Sequence, residues 1–99
     1  MKATSKILPK GTHAIIIYYG DKTRIDANRG KGQNSIIWDV KYYDTQYNKM
    51  QHSEWMTTRQ LFSLINKMAT PSITARVTFI YKTPARKDGI KYYTINGRA

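Results

Sequence analysis

The sequence predicts an α+β domain, an antiparallel sheet of about five or six strands with one amphipathic helix packed on one face. Three observations predict it. Residues 57–68 place apolar side chains at helical spacing, and no other stretch does so convincingly. The segments on either side are rich in β-branched and aromatic residues that alternate with polar ones. Gly, Asn, Asp and Pro clusters punctuate those segments at hairpin intervals. The expected order is β-β-β-β-α-β-β, and a small barrel plugged by the helix at one end is the alternative architecture.

The helix is the organising element. Thr57 and Gln60 have the spacing of a capping box, in which each side chain satisfies an orphan amide at the helix start. Met56, just before the cap, is placed to staple onto Leu61. Leu61, Phe62, Leu64, Ile65 and Met68 fall on one face, with Arg59, Gln60, Ser63, Asn66 and Lys67 on the other. Thr70-Pro71 stops the helix, because proline supplies no amide hydrogen. A single sticky face needs a sheet to lie on. The polar face offers only Arg59 and Lys67, too few base- and phosphate-reading groups for a recognition helix, so the helix is read as scaffold.

Residues 1–12 read as a flexible basic arm ending at Pro9-Lys10-Gly11, residues 13–96 as the folded domain, and residues 97–99 as a tail. Residues 13–19 and 23–27 form a first hairpin around Gly20-Asp21, a pair suited to a two-residue turn. Residues 28–34 form a glycine-rich basic loop in which Arg29 and Lys31 are candidates to hold a phosphate. The loop matches neither the Walker spacing nor a dinucleotide fingerprint. Residues 36–43 alternate as a half-buried strand, and residues 50–56 return antiparallel into the helix cap. Beyond Pro71, Ile73, Ala75, Val77, Phe79 and Tyr81 are expected under the helix, with Thr74, Arg76, Thr78, Ile80 and Lys82 facing out. Asp88-Gly89 marks a turn before a last strand over residues 90–95.

Composition narrows the function classes. The 99 residues make one domain with room for a single core. There is no cysteine, which excludes disulfides and thiolate metal sites. Residues 1–10 lack the apolar centre of a signal peptide, and no run approaches a membrane span, so a cytoplasmic protein is expected. Seventeen Lys and Arg against six acids leave a formal charge of +11, which attracts polyanions. By segment the balance is +5 over residues 1–34, −1 over residues 35–56 and +7 over residues 57–99, which suggests a basic face.

Catalytic signals are thin. His13 and His52 begin different elements, and in His52-Ser53-Glu54 strand neighbours point to opposite faces, which is not how a triad converges. Neither a zinc spacing nor an EF-hand is present, and no cofactor is expected. A small basic ribonuclease using general acid–base groups beside Arg is one further alternative, since the composition resembles that of small toxin nucleases.

Nucleic-acid binding has more support. Tyr18-Tyr19, Tyr42-Tyr43 and Tyr92-Tyr93 are adjacent pairs in strands, so each pair places one ring on each face. Exposed rings beside Arg and Lys stack bases, and the cations supply the salt-dependent part of the affinity. The expected function is a small, non-enzymatic nucleic-acid-binding protein. Arg29, Lys31, Arg76, Lys82, Arg86, Lys87 and Lys91 are the expected phosphate contacts, with Tyr92 or Tyr93 as the stacking partner. The rival is a regulator or inhibitor that docks on an acidic protein, a habit of small bacteriophage-encoded proteins of this composition. An exposed edge strand also makes a homodimer plausible.

Overall fold

A computed structural model describes residues 2–20, 23–30, 36–43, 51–69, 72–81 and 87–96, without the side chains of residues 51 and 52. The strands are β1 (Thr12–Tyr18), β2 (Arg24–Arg29), β3 (Ile37–Tyr43), β4 (Gln51–Thr57), β5 (Ile73–Tyr81) and β6 (Gly89–Ile95). The helix, α1 (Thr58–Met68), stands between β4 and β5, and a single 3₁₀ turn (Ser5–Ile7) precedes β1. This is the expected α+β order. All neighbouring strands pair antiparallel in the spatial order β4-β3-β2-β1-β5-β6. The sheet is open, with β4 and β6 at its edges, and barrel closure is not seen.

The chain first lays down β1 to β4 as a meander running towards one edge, then uses α1 to return across the sheet to β5 beside β1. That return spans four strand spacings, about 19 Å. An eleven-residue helix is about 16 Å long, so α1 and its short exit nearly match the crossing. Two side-chain bonds fix its path. Trp38 Nε1 on β3 donates to Thr58 Oγ1 at 2.8 Å, and Tyr19 Oη, just past β1, donates to the Ile65 carbonyl at 2.7 Å. The capping box is complete, with Gln60 N donating to Thr57 Oγ1 at 3.2 Å and Thr57 N donating to Gln60 Oε1 at 2.9 Å.

Alternation along the strands decides what lies beneath the helix. Ile15, Ile17, Ile25, Ala27, Trp38, Val40, Met56, Ala75, Val77, Phe79 and Ile95 join Leu61, Phe62 and Ile65 of α1 in one core. Leu64 and Met68 pack at its border, as do Ile73 and Tyr81. Among the described residues no buried side-chain nitrogen or oxygen lacks a hydrogen-bond partner.

Three expectations need revising. Asn66, assigned to the polar side of α1, is buried. Its Oδ1 accepts from Ala3 N at 2.8 Å, and its Nδ2 donates to the carbonyls of Ala3 and Phe62, each at 2.8 Å. Residues 2–11, expected as a flexible arm, lie docked against the domain through this clamp, with Ala3 buried and Ile7 and Leu8 packed on the core. A short apolar stretch inside a basic segment is enough to anchor it. The third revision concerns β2, which continues through Asn28 and Arg29, residues read as loop. Residues 44–50 and 82–86, between β3 and β4 and between β5 and β6, lie outside the described residues, as do the helix stop at Thr70-Pro71 and the tail at 97–99.

Candidate nucleic-acid interface

Among the described residues the helix covers one face of the sheet and no element covers the other, which is how antiparallel sheets meet solvent. Because side chains alternate, the residues flanking each core position emerge on the open face. Register then sets which of them are neighbours. Tyr43 pairs with Arg24, Arg24 with Tyr18, Tyr18 with Arg76, and Arg76 with Tyr92. These five residues therefore form one row, Tyr43–Arg24–Tyr18–Arg76–Tyr92, across β3, β2, β1, β5 and β6. Four strand spacings make the row about 19 Å long, with a planar π system roughly every 4.8 Å.

The row is accessible. Tyr43 is 38% and Tyr92 68% exposed, while Tyr18, on a central strand, is half-buried. The Arg76 guanidinium lies 5.2 Å from the centre of the Tyr18 ring, a cation–π distance. Arg24 pairs with Asp26, Nε to Oδ1 at 2.6 Å, two residues along the same strand. The hydrogen bond to Asp26 raises the Arg24 pKa above its ordinary value, against the opposing effect of burial, so the guanidinium stays charged at any working pH. Part of that charge is already answered by Asp26, which leaves Arg76 as the stronger cation of the row for an incoming phosphate.

Neighbouring rows are less aromatic. Lys41, Asp26, Ile16, Thr78 and Ile90 lie alongside, followed by Trp55, Asp39, Asn28, Ala14 and Ile80. Trp55 and Ile90 are well exposed, at 65% and 57%. At the far corner of the face Ile37 lies diagonally beside Trp55.

The structure divides each tyrosine pair between the faces. Tyr19 is buried, and Tyr42 and Tyr93 pack against the core, whereas Tyr18, Tyr43 and Tyr92 stand on the open side. Of the nine residues expected at the interface, Arg76 and Tyr92 are cross-strand neighbours on that face. Lys91 and Tyr93 belong to the opposite side of β6, and Lys87 is exposed just before that strand. Arg29 is placed elsewhere. Its guanidinium lies 4.4 Å from the centre of the buried Trp38 ring and its Nε donates to the Thr12 carbonyl at 3.0 Å. Lys31, Lys82 and Arg86 lie outside the described residues.

Arg24, Lys41, Tyr18 and Tyr43 were not among the expected contacts. Their alternation signal was readable, but their alignment depends on register. The described cations also do not gather on one face. Lys2 and Arg59 flank a groove of about 440 Å³ between the N-terminal segment and α1, on the covered side. Among the described residues no three His, Cys, Asp or Glu side chains converge as a metal site. Among the described residues no helix is long and apolar enough to cross a membrane. No protein-family model matches the sequence, and no curated protein or solved structure is significantly similar to it.

Proposed function

We propose that this protein binds nucleic acid on the open face of its sheet. The observation that carries the reading is the Tyr43–Arg24–Tyr18–Arg76–Tyr92 row, aligned over five neighbouring strands in a chain of net charge +11. A Tyr ring offers a flat apolar surface to a base of any identity, and an Arg beside it offers both a charge to phosphate and a plane to a base. Lys41, exposed in the next row, adds a further cation. Positive charge on the rest of the surface draws a polyanion in from a distance. The activity proposed is binding without covalent chemistry.

The test is a titration of labelled oligonucleotides across a salt series. If Arg24, Lys41 and Arg76 neutralise three phosphates, the log–log slope of affinity against salt is about −2 on a single strand and about −3 on a duplex. The R76Q variant should lower the slope by about 0.7 on a single strand. Absence of binding to any nucleic acid at low salt would remove the reading and favour an acidic protein partner instead.

A further inference from the structure

Resting on that reading, we infer that the ligand is single-stranded nucleic acid, DNA or RNA, whose unpaired bases lie on the tyrosine row while the strand runs across the sheet. Three features point to a single strand.

The first is width. Six strands span five spacings, about 24 Å, whereas the duplex major groove is about 12 Å wide, so the sheet face does not enter it. A helix is the other common reader of that groove, and α1 turns its apolar side to the sheet and exposes just Arg59 and Lys67 as cations.

The second is what the row offers. Tyr rings gain from bases whose faces are free, and in a duplex those faces are already stacked on their neighbours. Tyr43 and Tyr18 stand two strands apart, as do Tyr18 and Tyr92, about 9.6 Å in each case. An arginine stands in register between each pair of rings, Arg24 bonded to Asp26 and Arg76 against the Tyr18 ring. The row is on the order of four nucleotides long, the low end of what sheet platforms accommodate.

The third is the local charge. Among the described residues of the open face Arg24, Lys41 and Arg76 stand against Asp26 and Asp39. That is a small surplus for clamping the densely charged backbone of a duplex. It suits a flexible strand that presents its bases inward and keeps most phosphates in water.

The experiment uses the full chain with four labelled 12-mers at low salt: oligo-dT, oligo-U, a duplex of mixed sequence, and an abasic strand with the same phosphates and no bases. The expected result is that oligo-dT or oligo-U binds at least tenfold more tightly than both the duplex and the abasic strand. Preference between the first two tells DNA from RNA. The Y43L/Y92L variant keeps two exposed apolar positions on the strands and should weaken single-strand binding by about 30-fold or more, since it removes two rings and each stacked base is worth about 1–3 kcal/mol. Its unfolding midpoint reports whether it remains folded, and Y92L alone, on edge strand β6, serves if it does not.

Abasic strand binding as tightly as oligo-dT would overturn the inference, because phosphate contacts alone would then account for affinity. Duplex binding as tightly as the single strand would overturn it too, while leaving nucleic-acid binding intact. Failure of all four probes would remove the underlying reading along with it.

Discussion

Asn66→Ala tests how the N-terminal segment is held. Asn66 makes three buried hydrogen bonds, two of them to the backbone of Ala3. The third partner, the Phe62 carbonyl, also lies at the position that the α1 ladder uses, so losing it matters least. If the segment stays docked in the variant, the Ala3 amide and carbonyl are buried without partners, at about 1–3 kcal/mol each. If it detaches, water satisfies both groups, and the cost becomes the burial of Ala3, Ile7 and Leu8. The two larger side chains are partly buried, so that burial is worth about 2–4 kcal/mol, set against about 1.5–3 for each large aliphatic side chain fully buried. The chain takes the cheaper route, so the expected destabilisation is about 2–4 kcal/mol, a large share of the 5–15 typical of a domain. Urea unfolding followed by the emission of the buried Trp38 measures it. Trypsin cleavage after Lys6 should accelerate in parallel. In a chain lacking residues 1–8 the same substitution should be neutral or slightly stabilising, because alanine is the better helix former. An equal cost in both backgrounds, or less than about 0.5 kcal/mol in the full chain, would refute the clamp.

Two further substitutions separate scaffold from interface. R29A removes the stack on Trp38 and the bond to Thr12, and should cost about 1–2 kcal/mol in urea unfolding. It should leave the salt slope of oligonucleotide binding unchanged, and R29K should restore only part of the stability because the ammonium lacks the planar fork. T57A removes the acceptor for the Gln60 amide and should cost about 1 kcal/mol, with faster amide exchange confined to the first turn of α1.

What could be read from the sequence is what depends on near neighbours. Thr57 and Gln60 announced the start of α1 because a capping box closes within one turn. The adjacent tyrosines announced one ring per face because alternation is a property of any strand. Residues 14–19 form an almost unbroken apolar run, as befits β1, which has partners on both sides. Asn66 could not be read, because its partner is 63 residues away and a polar residue on a helix ordinarily faces water. Arg29 could not be read either. Its loop-like context of Asn and Gly gave no sign that a buried indole lay under it. The Tyr–Arg row is the instructive case. Alternation puts its members on the open face, but their alignment requires the β1–β5 pairing, between strands separated in the chain by β2, β3, β4 and α1.

The distribution of charge bears directly on which partner fits. Basic side chains occur on the open face at Arg24, Lys41 and Arg76, on α1 at Arg59 and Lys67, and on or before β6 at Lys87 and Lys91. A partner that senses charge alone, such as an acidic protein surface or a polyanion without rings, therefore finds no reason to choose the open face over the helix side. The long-range field brings any polyanion to the protein and fixes little about where it rests. Preference for the open face must come from short-range contacts found there, and Tyr43, Tyr18 and Tyr92 supply them. Competition makes the argument quantitative. A base-free polyanion such as polyphosphate should displace a weakly held duplex readily, yet compete poorly, at equal charge concentration, with a single strand seated on the tyrosines. If it displaces both alike, the +11 charge is the whole of the recognition and the row is only surface.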